Sequence, residues 1–388
     1  MCYICLHMVQ RHFWIKRIEK AWREKSVIWL SGVRRAGKTV LCQGLQGIEY
    51  FDCELPRTRR RLEDPEAFLD QLRGKRIVLD EIHRLENPSE LLKIAADHYP
   101  TVRVIATGSS TLGASRKFRD TLTGRKAQVW LTPICLADMA DFPRSGMERR
   151  LLHGGLPPFF LSERIPEKMF AEWMEAFWAR DIQELFSVGK RASFMKFAEL
   201  LLAQSGGMFE ATAFAGPCEV SRPTIANYLA ILDETFVAHV LRPFTSRLSS
   251  EIVSAPRVYA FDTGFACNYR EWSSLRPDDF GLMWEHIVLN EIHALTGNRN
   301  IHYWRDKHGH EMDFVLSDRG KPPLALECKR TASNFDPANT LAFHSIYPRT
   351  ELAVIAHDVK EPFKHRYEQA EVTFAGLDWL GTRLKKGA

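Results

Sequence analysis

Two adjoining stretches decide the fold of this chain: Ser26-Val-Ile-Trp-Leu-Ser31 and, directly after it, Gly32-Val-Arg-Arg-Ala-Gly37-Lys38-Thr39. The first is a short apolar run, which predicts a buried strand. The second satisfies the pattern Gly-x-x-x-x-Gly-Lys-Thr, and the apolar residues that follow, 40–45, predict a helix. Glycines at these positions let backbone N–H groups close around phosphate at a helix N-terminus. The segment therefore predicts a phosphate-binding loop between a strand and a helix.

The side chains of this loop have separate expected roles. Lys38 would reach the β- and γ-phosphates of a nucleotide, and the Thr39 hydroxyl would bind Mg²⁺. A glycine turn that binds nothing is the alternative, and the predicted strand before the loop and helix after it disfavour that alternative. The residues expected to surround the nucleotide are Gly32, Arg34, Arg35, Ala36, Gly37, Lys38, Thr39, Val40, Asp80 and Ser109.

A further apolar run, Arg76-Ile-Val-Leu-Asp80-Glu81, predicts a buried strand that ends in two carboxylates. An Asp-Glu pair after apolar residues is common and by itself predicts only a strand end. Beside a phosphate loop, Asp80 is expected to hold Mg²⁺ through water, together with Thr39. Glu81 is expected to polarise the attacking water, because hydrolysis needs a base near the γ-phosphate.

Two further positions have expected roles in the same site. Ser109 follows the strand at 102–107 and can sense the γ-phosphate, although a plain turn is the alternative. Arg125 can supply positive charge to the transition state across a subunit boundary, and an ordinary surface arginine is an equal alternative. Strands that alternate with helices throughout this region predict an α/β fold with a parallel sheet covered on both faces.

Composition limits the remaining possibilities. A chain of 388 residues predicts roughly two to three domains. Its 45% apolar and 26% charged residues exclude a mainly disordered or fibrous protein. The net charge of +5 is too small to identify a nucleic-acid binder without local evidence. No stretch reaches the roughly 18 apolar residues of a membrane span, so we expect no membrane contact. The eight cysteines are scattered, which favours a reducing cytoplasm.

The motifs together resemble a widespread prokaryotic group of AAA-superfamily ATPases, in which a C-terminal domain of unknown function follows the ATPase. This resemblance implies that the chain binds ATP with Mg²⁺ and hydrolyses it. One departure, Cys135, affects no catalytic position. The ATPase motifs are residues 32–39, 79–84, 107–110, 123–126 and 131–138, and those of the second domain are 153–157, 259–264, 303–305 and 327–329.

Residues 206–232 predict a helix, a turn and a second helix that Ser221 caps. The unit resembles the helix-turn-helix of winged-helix proteins, whose second helix enters the major groove of DNA. The exposed face of that helix offers Arg222, Thr224 and Asn227 to a base edge and little positive charge to phosphates. DNA recognition and protein docking therefore both remain open.

The C-terminal strands 311–316 and 324–329 flank a turn and predict a hairpin centred near Gly320. In that register Asp313 lies opposite Glu327, and Lys329 shares the face of Glu327. Two carboxylates and a lysine on one face can hold a divalent metal and activate water, with Glu285 as a further ligand. The set resembles the PD-(D/E)xK nuclease superfamily. An active nuclease, an inactive nuclease-like fold used for binding or assembly, and a plain ion-pair cluster are the alternatives.

These patterns predict four units: a P-loop AAA-type ATPase domain at 1–145, a helical linker or lid at 146–192, a winged-helix-like unit at 193–250, and an α/β restriction-endonuclease-like domain at 251–388. One functional hypothesis is an ATPase that acts on DNA and has a metal-dependent nuclease domain. The alternative is a nucleotide-dependent switch whose C-terminal domain cuts nothing. The expected partners are ATP, DNA, and a protein partner or a second copy of the chain.

Overall fold

A parallel five-stranded sheet forms the N-terminal part of the molecule. The computed structural model describes residues 9–108, 121–143, 145–186, 188–245, 255–297, 300–318 and 320–385. The strands are β1 (Val27–Ser31), β2 (Ile48–Asp52), β3 (Arg76–Asp80), β4 (Arg103–Thr107) and β5 (Lys126–Trp130). They lie in the order β2-β3-β4-β1-β5, and all neighbours are parallel.

Both faces of this sheet are covered, as the continuous apolar strands predict. Alternate residues of β1 enter two different apolar cores: Ile28 belongs to one and Trp29 to the other. The first helix covers one face with Trp14, Ile18 and Trp22. The helices of this part are α1 (His12–Glu24), α2 (Lys38–Gln43), α3 (Pro56–Arg61), α4 (Pro65–Asp70), α5 (Pro88–His98) and α6 (Leu136–Met139), with a 3₁₀ turn at Ile82–Arg84.

A helical segment follows. Its aromatic residues at helical spacing, Phe170, Trp173, Phe177 and Trp178, are all buried in the core that also contains Ile28. The elements are α7 (Met147–His153), α8 (Pro157–Phe160), α9 (Glu167–Phe177), a π-helical turn (Trp178–Ile182), α10 (Gln183–Phe186) and α11 (Arg191–Ala203).

The predicted pair of helices is present as α12 (Ala211–Ala215) and α13 (Arg222–Glu234). The Ser221 side chain caps α13 by accepting a hydrogen bond of 3.4 Å from the Thr224 amide. Ile225, Leu229 and Leu232 are buried, as their spacing predicts. Around these helices lie β6 (Gly207–Met208), β7 (Ala238–Pro243) and β8 (Arg257–Ala260), and β8 pairs antiparallel with both β6 and β7.

The C-terminal unit adds its strands to the sheet that contains β6, β7 and β8. Its elements are α14 (Thr263–Tyr269), α15 (Pro277–Thr296), β9 (Ile301–Arg305), β10 (Glu311–Leu316), β11 (Leu324–Lys329), a 3₁₀ turn (Ala332–Asn334), α16 (Pro337–Ile346), β12 (Glu351–Ala356), β13 (Phe363–Tyr367), β14 (Ala370–Ala375) and α17 (Leu377–Lys385). The nine strands lie in the order β13-β14-β12-β11-β10-β9-β7-β8-β6. Because β7 pairs with β9, the sheet extends across the boundary expected between residues 250 and 251.

Two of the motifs in the resemblance, at 153–157 and 259–264, pack against each other. The Gly155 amide donates a hydrogen bond of 2.6 Å to Asp262 Oδ2, and Arg150 lies 3.6 Å from the same oxygen. Gly154 has a φ of +83°, and a Cβ there would lie 2.0 Å from Asp262 Oδ1. These residues therefore hold the helical segment against the C-terminal part. Within the residues described, no helix combines the length and the apolar character that a membrane crossing requires.

Candidate functional site

The phosphate loop joins β1 to α2 through conformations that only glycine adopts readily. Gly32 has a φ of +146°, and a Cβ there would lie 2.4 Å from the carbonyl oxygen of Leu131. Gly37 has a φ of +97° and is the N-cap of α2. Both glycines of the motif are therefore required by the shape of the loop.

The Lys38 ammonium group lies against the loop. Its Nζ donates hydrogen bonds to the carbonyl oxygens of Gly32 at 2.8 Å and Val33 at 3.1 Å. Burial lowers the pKa of Lys38, and the negative charges of Glu81, Asp181 and Asp80 act in the opposite direction. A half-buried cation held by loop carbonyls is well placed for exchange to phosphate oxygens.

Thr39 and Asp80, predicted to share Mg²⁺, are in direct contact. Thr39 Oγ1 donates a hydrogen bond of 2.8 Å to Asp80 Oδ2, and the Tyr50 hydroxyl donates to the same oxygen. The Thr107 hydroxyl donates to the other oxygen, Asp80 Oδ1. Hydroxyl and carboxylate oxygens are the ligands that Mg²⁺ prefers, so the residues present fit this ion.

Glu81 lies beside this pair in an unusual backbone conformation, with a φ of +53°. Its Oε2 is 3.1 Å from His83 Nδ1. Burial raises the pKa of Glu81, but the hydrogen bond from His83 and the charges of His83 and Lys38 outweigh burial and lower the pKa below its ordinary value. Glu81 is therefore an ionised base in the same cavity as Lys38.

The cavity over the loop measures about 1130 Å³, and the helical segment forms its second wall. Arg34 Nε lies 3.1 Å from Asp181 Oδ2, and Trp173 Nε1 donates a hydrogen bond of 3.0 Å to the Arg34 carbonyl oxygen. The charged loop can hold phosphates while the apolar side chains can pack against a base. Among the lining residues beyond the predicted set are Val9, Arg11, His83, Phe142, Pro157, Pro158, Leu161, Met169, Arg180 and Asp181.

The other predicted nucleotide contacts lie as follows. Arg35 and Val40 line the cavity, with Val40 39% exposed, and Ala36 is buried. Ser109 lies outside the described residues. Arg125 precedes β5 and therefore lies at the edge of the sheet opposite the phosphate loop, about 16 Å away along the strand. Its Nε is 2.8 Å from Asp97 Oδ1. A role for Arg125 across a subunit boundary stays a prediction.

The C-terminal hairpin has the predicted register. β10 and β11 pair antiparallel through Phe314↔Leu326, Val315↔Ala325 and Leu316↔Leu324, which centres the turn at Gly320. Next to these pairs, at Asp313, a side-chain hydrogen bond takes the place of the backbone pairing. Asp313 Oδ2 accepts a hydrogen bond of 2.8 Å from the Cys328 amide. A register shift between Met312 and Val315 on the β9 side accompanies this change.

The carboxylates near this hairpin already have cationic partners. Arg257 of β8 donates to Glu311 and lies 3.5 Å from Asp313 Oδ1. Lys329 Nζ lies 2.7 Å from Glu327 Oε1. Arg257 and Lys329 therefore offset part of the negative charge of Glu311, Asp313 and Glu327.

Glu285, Asp313 and Glu327 are nevertheless strongly perturbed by burial. Burial, and then the charge of Asp313, raise the pKa of Glu285 to about 8. Burial also raises the pKa values of Asp313 and Glu327. Glu285 accepts a hydrogen bond of 2.8 Å from the Tyr259 hydroxyl. However, within the described part of the chain no three His, Cys, Asp or Glu side chains are grouped to hold a metal ion. Metal binding by Glu285, Asp313 and Glu327 therefore stays a prediction.

The outer face of α13 lines a second cavity of about 700 Å³. Thr224 and Asn227 form one side of it, and Phe186, Val188 and Lys190 form the other. The sequence of α13 contains one arginine and two carboxylates, so this face has little positive charge for DNA phosphates.

Comparisons with known proteins agree with the order of these units. A model described as an AAA domain matches residues 24–140. Two models described as domains of unknown function, DUF8612 and DUF4143, match residues 144–276 and 280–374. Uncharacterized proteins of Mycobacterium tuberculosis and Mycobacterium bovis are each 28% identical to this chain over 381 residues, covering 95% of it and 83% of their own length.

Solved structures show distant likeness. A RuvB variant of Thermotoga maritima has a TM-score of 0.31 at 17% identity and covers 69% of this chain and 96% of its own. A signal transduction ATPase with numerous domains from Pyrococcus horikoshii has a TM-score of 0.28 at 11% identity and covers 73% and 46%. The AAA match and the geometry of the loop support a P-loop AAA ATPase domain at residues 24–140, which implies nucleotide binding.

Proposed function

We propose that this protein binds Mg²⁺·ATP at residues 32–39 and hydrolyses it, and that the bound nucleotide governs contacts between the ATPase domain and the units that follow. The observation that carries the proposal is the hydrogen bond between Thr39 and buried Asp80, with Thr39 and Glu81 both lining one cavity. These are the Mg²⁺ pair and the base that phosphoryl transfer to water needs.

The chain's own residues have defined roles in this reaction. Lys38 would leave its loop carbonyls to contact β- and γ-phosphate oxygens. Glu81 would accept a proton from the attacking water as its oxygen bonds to the γ-phosphorus, and the bond from that phosphorus to the ADP oxygen would break. Thr39 and Asp80 would hold Mg²⁺, which supplies charge neutralisation at the phosphates when bound.

The second wall of the cavity supports coupling to the rest of the chain. The ion pair between Arg34 and Asp181 joins the loop to the π-helical turn. Phosphate near Arg34 would compete with Asp181 for the guanidinium group, so nucleotide binding would change this contact. We therefore favour the nucleotide-dependent switch as the biological role.

Glu81→Gln tests the hydrolytic part. We expect kcat for ATP to fall about 100-fold or more, with nucleotide binding retained, because the amide cannot take the proton. Glu86→Gln is the matched control, since Glu86 is exposed on the same stretch of chain. Hydrolysis by Glu81→Gln at the wild-type rate would contradict the proposal.

For the C-terminal unit we propose a non-cleaving interaction module. The cations beside Asp313 and Glu327 support this choice. The metal-dependent nuclease is the second candidate, because Asp313 and Glu327 lie on adjacent strands in the expected register. Incubation of plasmid DNA with Mg²⁺ or Mn²⁺, with and without ATP, separates the two. Cleavage that Asp313→Ala abolishes would establish the nuclease, and intact plasmid under every condition would support the module.

For α13 we propose protein docking rather than DNA recognition. Its outer face contributes Thr224 and Asn227 to a cavity, and the helix has more negative than positive side chains. A titration with duplex DNA at several salt concentrations tests this choice, since binding through phosphates weakens steeply as salt rises. Steep salt-dependent binding that Arg222→Ala reduces would contradict the docking role.

A further inference from the structure

Arg11, the N-cap residue of α1, contacts the phosphate loop. Arg11 Nη1 donates a hydrogen bond of 3.0 Å to the carbonyl oxygen of Ala36, inside the loop. Its Nη2 donates at 3.0 Å to the Thr132 carbonyl oxygen and forms an ion pair with Asp138, with both side chains almost fully buried. One rigid guanidinium fork therefore fixes the loop to the turn that follows β5.

Less than two turns later, the same helix contacts the C-terminal unit. Arg17 Nη1 donates hydrogen bonds to the carbonyl oxygens of Ala294 at 2.5 Å and Leu295 at 2.8 Å. These are carbonyls of the last turn of α15, where partners within the helix are missing and the helix dipole favours a cation. Arg17 thus caps α15 from a different domain.

The two arginines are physically connected. Both guanidinium groups lie over the ring of Trp14, at 5.5 Å for Arg11 and 5.7 Å for Arg17. Trp14 Nε1 donates a hydrogen bond of 3.1 Å to Asp138, the partner of Arg11. The contacts from the loop to α15 therefore pass through one buried aromatic side chain.

A parallel set of contacts joins the turn after β5 to α15 directly. The Leu136 amide donates a hydrogen bond of 2.6 Å to Glu291 Oε1. Asn290 Nδ2 donates to the carbonyl oxygens of Pro133 and Ile134, both at 3.4 Å. The turn, α1 and the end of α15 consequently form one packed unit behind the phosphate loop.

We infer that α1 couples the phosphate loop to the C-terminal unit, with Arg11 as the positioning residue of the loop and Arg17 as the link to α15. The inference rests on nucleotide binding at residues 32–39, as proposed above. Coupling is reciprocal: nucleotide that fixes the loop stabilises the end of α15, and a packed α15 raises the affinity for nucleotide. The first half of the same helix contains Glu285 of the C-terminal carboxylate cluster.

Hydrogen exchange of the full chain, with and without Mg²⁺ and the non-hydrolysable analogue AMP-PNP, tests this coupling. In the wild type we expect the nucleotide to slow exchange both in the loop and in residues 290–297. Arg17→Gln should keep the protection of the loop, lose the nucleotide effect on α15, and bind AMP-PNP about fivefold more weakly. Arg23→Gln, an exposed position on the same helix, should behave as the wild type.

The outcomes separate the two proposals. Loop protection without any response of α15 in the wild type would overturn the coupling and leave nucleotide binding intact. Absence of loop protection would overturn both. A merely structural Arg17 would speed exchange in α15 equally with and without nucleotide, which also contradicts coupling. If Arg17→Gln does not fold, Arg17→Met keeps an unbranched side chain and removes the nitrogen that donates to both carbonyl oxygens. A reduced α15 response in that variant supports the coupling, and an unchanged one contradicts it.

Discussion

The Thr39 hydroxyl donates a 2.8 Å hydrogen bond to Asp80, which joins the start of α2 to the end of β3 across the intervening strand β4. Residues that follow the strands of a parallel sheet gather at its carboxyl edge, and here they meet beside the lysine and the glutamate that we expect phosphate chemistry to use. The fold thus brings together the two side chains that we propose to hold Mg²⁺.

His83 sets the pH range in which Glu81 acts as a base. The pKa of Glu81 lies below its ordinary value because His83 and Lys38 outweigh burial. Hydrolysis is lost as pH falls through this pKa, since the protonated acid cannot accept a proton. Removing His83 takes away its hydrogen bond and charge, which lower this pKa, while Lys38 and Arg34 still oppose burial, so in His83→Ala the acid limb of the kcat–pH profile should move to higher pH. His98→Ala, exposed at the end of α5, is the control. An acid limb at the same pH in His83→Ala and wild type would contradict this role.

Arg257 should be worth much more to stability than Arg305, although both lie beside Glu311. The Arg257 side chain is 11% exposed, whereas that of Arg305 is 46% exposed. Arg257→Met leaves Asp313, which is 15% exposed, without its guanidinium partner and should lower the free energy of unfolding by about 3 kcal/mol. Arg305→Met removes a largely solvated pair and should cost about 0–1 kcal/mol. Urea unfolding measures both, and equal losses would contradict the assignment of Arg257 as the internal cation.

Glu285 should make the protein less stable as pH rises. Its pKa is raised to about 8 in the folded chain and returns to about 4.3 on unfolding. Between these values the folded state holds a proton that the unfolded state has lost, so the free energy of unfolding falls with pH. Glu285→Gln removes this slope and should gain stability relative to wild type from pH 5 to pH 8. Exposed Glu361→Gln is the control; parallel curves for wild type and Glu285→Gln would rule the account out.

Arg125 is expected to act on a neighbouring subunit or not at all, because it lies at the opposite sheet edge from its own phosphate loop. If it acts in trans, Arg125→Ala should lose about 10³-fold in hydrolysis. A mixture of Arg125→Ala and Glu81→Gln chains should then recover activity, because some interfaces combine an intact arginine with an intact base. If Arg125→Ala alone hydrolyses ATP at the wild-type rate, Arg125 has no role in hydrolysis and is only a surface partner of Asp97.

Local spacing was enough to predict much of the molecule. The loop at 32–39 needs glycine at two positions because of its backbone conformation, so the sequence motif alone predicts the shape of the loop. Asp80 and Glu81 end an apolar strand, and a parallel sheet brings that end to the loop. A turn centred at Gly320 determines the register of the C-terminal hairpin, because residues equally far from the turn lie opposite each other in an antiparallel pair.

Contacts between distant segments could not be predicted in this way. Arg11 meets Asp138 across 127 positions of sequence, and Arg257 meets Asp313 across 56. No spacing rule connects such residues, and Arg257 is the side chain that changes the interpretation of the carboxylate hairpin. The position of Arg125, by contrast, can be deduced from the sequence once β5 is assigned. A residue that precedes a strand lies at the amino edge of a parallel sheet.

Equilibrium titration of Mg²⁺·ATP into the wild type and Lys38→Ala tests the central claim most directly, with Lys20→Ala, exposed on α1, as the control. We expect the wild type and the control to bind, and Lys38→Ala to bind at least about 100-fold more weakly, because it loses a half-buried cation at the phosphates. Equal affinity of Lys38→Ala and wild type for ATP would contradict the assignment of residues 32–39 as the nucleotide site.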